Sequence, residues 1–313
     1  MSANTEIVCV GQAVVDCINR GWHDDVAMNI QNWVESISLH VGGDAFNESV
    51  ILRRMGHSVR IVCGMGKDLA GDLIISQLEK NGIDSSAVDR LEGEATPVAD
   101  ILLSQNGQRK SVTSRASLLK SYSPSPKHIS GCKVLSLASL FRPPLANPEN
   151  IIRLIRAAKA QGSIVCADTK LPVVPELGLD SIKEILPLID YIFPNENEAA
   201  RFTGRAKFED MAKALLDMGI GHVVVKCGPA GVLALSKNES FTVPSFPVKA
   251  VDSTGAGDNF VAGFISSLLH GKSFYDCCLF GTAAAANCVM SIGTTTGVKS
   301  RQQVEDFLKE RGY

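Results

Sequence analysis

The stretch VDSTGAGDNFVAGF, residues 251–264, places three small residues, Gly255, Ala256 and Gly257, directly before Asp258 and follows them with an apolar run of helical character. Glycine loses more conformational freedom on folding than any other residue, so its use at a helix start implies a need for bare backbone. With a helix beginning near Gly255, the amides of these three residues form an unsatisfied first turn whose N–H groups and dipole attract anions. An acidic side chain beside a bound phosphate is placed to accept the proton of an attacking hydroxyl, and Asp258 stands there. Alone, a G-x-G-D stretch is more often an ordinary N-terminal turn in which the acid favours the dipole. The rest of the chain has to decide between the two.

Outward from this stretch, short β-rich runs alternate with helical patterns. EIVCVG (6–11), VRIVCG (59–64), CKVLSLAS (132–139), SIVCAD (163–168), DYIFPN (190–195) and HVVVKCG (222–228) read as strands. Between most of them lie helical periods such as AFNESVILRRMG, LAGDLIISQLEKNG, ENIIRLIRAAKAQG and DMAKALLDMGI, several stopped by glycine. Repeated strand-then-helix predicts an α/β fold with a central, mostly parallel sheet covered on both faces, and its ligands belong at the carboxyl ends of the strands. The segments at about 14–43 and 96–115 break the alternation. They read as strands and turns, the second a hairpin around Asn106-Gly107, and predict a small β-lid on a single domain spanning 1–313. Such a lid leaves a face or edges to cover, so a homodimer through it is expected. The last third is helical, with Ser273 and Ser300 placed as N-caps.

The 313 residues are 45% hydrophobic, enough for a sizeable core, and a net charge of -2 gives no general attraction to nucleic acid or anionic lipid. The first thirty residues carry no signal-peptide pattern and no apolar run reaches the roughly 20 residues of a membrane span, so a cytoplasmic protein without membrane contact is expected. The nine cysteines form no C-x-x-C pair and read as reduced core residues. The six histidines show no zinc-binding spacing. Other nucleotide and hydrolase motifs fail: SSLLHGKS joins two helices and lacks the first glycine of a P-loop, GQAVVD lacks G-x-G-x-x-G, and no G-x-S-x-G is found around GAGD.

The stretch DSTGAGDNFVAGF is similar to the D-T-x-G-A-G-D-x-F-x-A-G motif of the ribokinase-like, or PfkB, carbohydrate kinases. VGGDAFNESVILRRMG (41–56) resembles the family's glycine pair followed by small residues and an asparagine, and the resemblance continues through 64–84, 194–204 and 223–232. It implies a ribokinase-like fold in which Asp258 is the catalytic base and Gly255, Ala256 and Gly257 form the anion hole. It further implies that Asp16 and Asn47 contact the sugar, and that Gly42 and Gly43 are the hinge between lid and body. Asn195 and Glu198 match the family's N-x-x-E, which orders Mg2+ through its waters near the phosphates of ATP; from the residues alone the pair is also a plain cap with a first-turn acid. Lys226, Gly228 and Gly231 resemble the strand-to-loop beside the nucleotide, with a simple strand-end turn as the other reading. Asp252 and Thr254 resemble part of a K+ site, although the chain has Gly297 where relatives often carry a hydroxyl.

For the substrate, ADTKLP, with Asp168, Thr169 and Lys170, departs from the D-x-N-x-R of many fructokinase relatives. Arg109 and Arg115 on the lid are candidates to reach an acidic substituent, against the plainer reading of solvated hairpin arginines. The resemblance implies an ATP-dependent kinase acting on a primary hydroxyl of a small free sugar, ribose- or fructose-like. A nucleoside kinase, with Trp33 and Phe46 around the base, is the alternative within the family; a non-catalytic sugar sensor is the alternative outside it. A phosphorylated sugar is disfavoured because GGDAFN carries no lysine.

Overall fold

Ile7 and Cys9 point to one side of a sheet and Val8 and Val10 to the other, and all four side chains are fully buried. A strand apolar on both faces belongs between two helical layers. The computed structural model describes residues 5–23, 33–104, 109–114, 122–172, 174 and 176–313. The Asn106-Gly107 turn, Arg115 and residues 24–32 lie outside them, as does the side chain of Arg109.

In chain order the first elements are β1 (Ile7–Val10), β2 (Val14–Trp22), β3 (Ser36–Gly42), α1 (Asp44–Arg54), β4 (Val59–Gly66), α2 (Leu69–Lys80) and β5 (Asp84–Leu91). There follow β6 (Val98–Ser104), β7 (Arg109–Thr113), β8 (Val134–Leu140), α3 (Pro148–Ala160), β9 (Ile164–Thr169), β10 (Tyr191–Phe193), α4 (Glu196–Thr203) and α5 (Phe208–Asp217). The chain closes with β11 (His222–Lys226), β12 (Val232–Ser236), β13 (Ser240–Val243), α6 (Ala256–Leu269), α7 (Phe274–Val289) and α8 (Arg301–Lys309).

The large sheet has nine strands in the order β13-β12-β11-β10-β9-β8-β1-β4-β5. It is parallel from β5 to β11, and β12 and β13 extend it antiparallel. These last two strands and β5 were not among the runs read from the sequence. On one face Ile7, Cys9, Ile61 and Val224 pack with Ile51 of α1, Phe264 of α6 and Ala283 of α7. On the other, Val8, Val10, Leu137 and Val225 pack with Leu154 of α3 and Leu215 of α5. From β1 the chain goes first to β4 on one side and later to β8 on the other, so the strand order reverses between β1 and β8. A crevice opens outside the carboxyl ends of strands at such a switch point. The loops after β1 and β8 meet there, with Gly11, Gln12, Pro143 and Pro144 lining a small cleft.

Strands β2, β3, β6 and β7 form a separate four-stranded sheet, ordered β3-β2-β6-β7, from the two segments that break the α/β alternation. Its central pair, β2 and β6, is parallel, and the outer pairs are antiparallel. Leu39, Cys17, Asp100 and Val112 lie in one row across it, and Ile37, Leu39 and Val112 expose large apolar side chains on that face. Phe46, weighed above as a wall for a nucleobase, is instead 3% exposed and packed in the core, while Trp33 is 87% exposed. The Phe46 ring packs in the hydrophobic core with Ile7, Ile51 and Phe264. Ser273 and Ser300 cap α7 and α8 by accepting from the amides of Asp276 and Gln303. The described cysteines are free thiols, all buried except the half-buried Cys17. Among the described residues no helix is long and apolar enough to cross a membrane.

Candidate active site

Helix α6 begins at Ala256, and its cap Gly255 adopts a left-handed conformation, φ 80° and ψ 0°. A Cβ at Gly255 would lie 2.8 Å from the Cα of Thr294, so both backbone angle and space require glycine. Gly257 differs: among the described residues its Cβ would meet only the Lys226 ammonium, at 3.3 Å, so the first turn of α6 faces a lysine nitrogen. The amide of Ala256 donates to Ser253 O at 3.3 Å, so the bare turn rests mainly on Gly255 and Gly257. Donors at a helix start with a cation opposite suit a phosphoryl group.

Asp258 follows in the same turn and is 5% exposed. Asn47, buried on α1, donates through Nδ2 to Asp258 Oδ2 at 2.7 Å, and its Oδ1 accepts from Thr294 Oγ1 at 2.8 Å. The ionised carboxylate can only accept, so it draws the amide NH2 toward Asp258 and leaves Oδ1 to accept from the Thr294 hydroxyl. Burial pushes the Asp258 carboxyl up to about 7; Asp44 adds to the rise, and Lys170 and the Asn47 bond oppose it. A carboxyl titrating near neutrality inside a helix-start turn is matched to general-base work at physiological pH.

The ends of adjacent parallel strands complete the ring. Asp168 at the end of β9 and Lys226 at the end of β11 form a buried pair, Nζ to Oδ1 2.6 Å. Burial alone would lower the Lys226 pKa, but Asp168 and Glu198 outweigh it and hold the ammonium charged. Asn195 and Glu198 at the start of α4 form a capping box: Glu198 N donates to Asn195 Oδ1 at 3.0 Å, and Asn195 N to Glu198 Oε2 at 2.9 Å. Asn195 Nδ2 and Thr169 Oγ1 also donate to Glu198, at 2.7 and 2.8 Å. The cap is therefore real, and Glu198 is 3% exposed. Gly228 and Gly231 bracket the turn after β11.

Asp16 on β2 lies against the end of β3: a Cβ at Gly42 would be 2.4 Å from its Oδ2. Gly42 and Gly43 carry the chain from the small sheet directly into α1, which brings Asp16 and Asn47 to the same region. Asp252 accepts from the amides of Thr254 at 2.9 Å and Gly293 at 3.0 Å, tying the loop before α6 to the loop after α7. Among the described residues no three His, Cys, Asp or Glu side chains converge on a metal position. The backbone of Arg109 starts β7 in the small sheet.

Three further side chains belong to the region. Asp44, the first residue of α1, pairs with Lys170 at 3.0 Å and accepts from Ser139 Oγ. Thr294 orients Asn47. Glu48, fully buried, accepts from Ser136 Oγ at 2.6 Å, and burial raises its pKa. The helical spacing of Asp44 and Asn47 was the available signal for the first of these.

A family model described as pfkB family carbohydrate kinase matches residues 4–301. Over 286 residues the chain is 29% identical to the ribokinase of Haemophilus influenzae, covering 88% of this chain and 89% of that protein. It is 25% identical over 316 residues to a nucleoside kinase of Methanothermobacter thermautotrophicus, covering 100% and 99%. The structure of Arabidopsis thaliana ribokinase complexed with ribose and ATP matches with a TM-score of 0.83 at 26% identity, over 98% of this chain and 99% of that one. The fold is thus the ribokinase-like one expected from the motifs. Because the match runs through every motif gathered at this sheet edge, the chain belongs to the pfkB family of carbohydrate kinases.

Proposed function

We propose that this protein transfers the γ-phosphoryl group of ATP to a primary hydroxyl of a small free sugar, ribose- or fructose-like, with Asp258 as general base. The observation that carries the reading is a buried carboxyl held by Asn47 in a glycine-opened helix turn opposite Lys226. Similarity to ribokinases, one of them solved with ribose and ATP, supports the substrate class. Asp258 takes the hydroxyl proton as the oxygen bonds to the γ-phosphorus and the bond to the β–γ bridging oxygen breaks, releasing ADP. The 255–257 turn and Lys226 hold the equatorial oxygens as charge develops. When bound, Mg2+ neutralises charge on the β and γ oxygens, and Asn195 and Glu198 suit its water shell because a hard cation keeps several waters.

Asp16 and Asn47 hold the sugar, and Gly42 and Gly43 act as the hinge of a lid made by the small sheet. Lid closure excludes water that would otherwise accept the phosphoryl group. A nucleoside kinase stays the alternative within the family, since a nucleoside kinase is among the relatives. The exposed row through Leu39 and Val112 supports pairing of two lids in a homodimer; sedimentation showing only monomer at micromolar concentration sinks that part.

The test is ATP consumption with Mg2+ across pentoses, hexoses, ketoses, sugar acids and nucleosides, with Asp258→Asn as control. A sugar that is turned over by the wild type and not by the variant supports the reading. Turnover confined to nucleosides selects the alternative, and sugar binding without turnover selects a sensor. Repeating the assay in KCl and NaCl tests a K+ site at Asp252 and Thr254.

A further inference from the structure

Asp44 opens α1 and Asn47 follows three residues later, so the two side chains share one face of the first turn, the face from which Asn47 reaches Asp258. The Asp44 carboxylate is clamped: Ser139 near the end of β8 donates to Oδ2, and the Lys170 ammonium, one residue past β9, lies 3.0 Å from Oδ1. Elements from three distant parts of the chain thus fix one ammonium on Asp44, beside the helix face that holds Asp258 through Asn47.

We propose that Lys170, seated on Asp44, is a positioning residue that keeps Asp258 ionised and ready to accept a proton. The proposal rests on the reading of Asp258 as base. Asp258 is faced from α1 by Asp44, Asn47 and Glu48, from the end of β9 by Asp168 and Lys170, from β11 by Lys226 beyond Gly257, and from α7 by Cys288. Burial favours the neutral forms of Glu48 and Cys288, and Asp168 is matched by Lys226 at 2.6 Å. What remains is Asp44 working against ionisation and Lys170 working for it. Without Lys170, Asp44 would lose its cation beside the helix face that holds Asp258, and the uncompensated charge would make Asp258 hold its proton more tightly. The Lys170 side chain is 40% exposed, so replacing it opens no core cavity.

The readout is the side-chain carboxyl 13C resonance of Asp258, assigned by its loss in Asp258→Asn and followed through a pH titration of the full chain without sugar or nucleotide. Lys170→Met is expected to raise its midpoint by about one pH unit or more. Lys170→Arg should leave the midpoint near the wild-type value, and Asp44→Asn should lower it. An unchanged midpoint in folded Lys170→Met overturns the inference; should that variant not fold, the absence of a downward shift in Asp44→Asn overturns it. Shifts as expected, alongside undiminished phosphoryl transfer by Asp258→Asn, would keep the electrostatic inference and sink the assignment of Asp258 as base.

Discussion

Asn47 donates to Asp258 Oδ2 at 2.7 Å, so a residue of the first helix holds the carboxyl of the sixth. Its donation favours the ionised form, against the burial that raises the Asp258 carboxyl to about 7. Asn47→Leu removes that bond and leaves burial and Asp44 less opposed. The acid limb of the kcat profile then moves to higher pH, and turnover near pH 6 falls by about tenfold or more, since a hydrogen bond to a charged group is worth about 1.5–3 kcal/mol. The loss shrinks above pH 8, where Asp258 ionises in both proteins. A uniform loss at every pH would confine Asn47 to sugar contact.

Asp258→Asn separates activity from stability. Loss of a general base costs roughly 10²- to 10⁴-fold in turnover, while binding of sugar and ATP survives. Stability moves the other way. The folded carboxyl titrates at about 7 against an ordinary 3.8, so between these values the unfolded chain releases its proton first and native stability falls as pH rises. Below about pH 4 both states are protonated and the penalty vanishes; above about 7 it is constant. The asparagine variant has no such penalty, so urea midpoints should show it more stable than wild type at pH 8, by up to about 4 kcal/mol, with the gain fading toward pH 4. An equal midpoint difference at both pH values would mean that Asp258 is not held near neutrality.

The two glycines of the turn predict opposite outcomes. Gly255→Ala forces a side chain into a left-handed residue with Thr294 at 2.8 Å, so it should cost on the order of 1–3 kcal/mol and displace the loop that orients Asn47. Gly257→Ala adds a methyl to a helical position whose near neighbour among the described residues is the Lys226 ammonium at 3.3 Å. Stability should hold or rise, by up to about 1 kcal/mol from helix propensity, while turnover collapses because the methyl stands where a phosphoryl oxygen must approach. Thermal melts and ATP consumption on both variants check the contrast. A fully active Gly257→Ala would remove that amide from the anion hole.

What was legible in the sequence was local. Gly255, Ala256, Gly257 and Asp258 are contiguous, so their turn and its chemistry could be read together. Asn195 and Glu198 show both of their readings three residues apart, and the capping box now explains one. The strands read correctly were continuous apolar runs buried on both faces, whereas β5 is largely polar, with only Ala87 buried, and β12 and β13 are short antiparallel additions at the edge. Lys170 was visible only as a departure from a motif, because its partner Asp44 lies on another element and only the sheet brings them together. Phe46 shows the limit from the other side: an aromatic beside a binding motif can face the core.

Lys226 carries two duties that substitution can separate. It is paired at 2.6 Å with Asp168, a buried carboxyl, and its ammonium also faces the helix turn at Gly257. Lys226→Met leaves Asp168 buried without its cation, and breaking a buried pair in this way costs about 3–5 kcal/mol. Asp168→Asn combined with Lys226→Met removes both charges, so most of that stability should return. Activity should not return with it, because the turn has lost the cation opposite its amides, where charge develops on the phosphoryl oxygens. Urea midpoints and turnover measured on the single and double variants give the two answers independently. A double variant that recovers both would reduce Lys226 to a structural partner of Asp168, and one that recovers neither would point to damage beyond the pair.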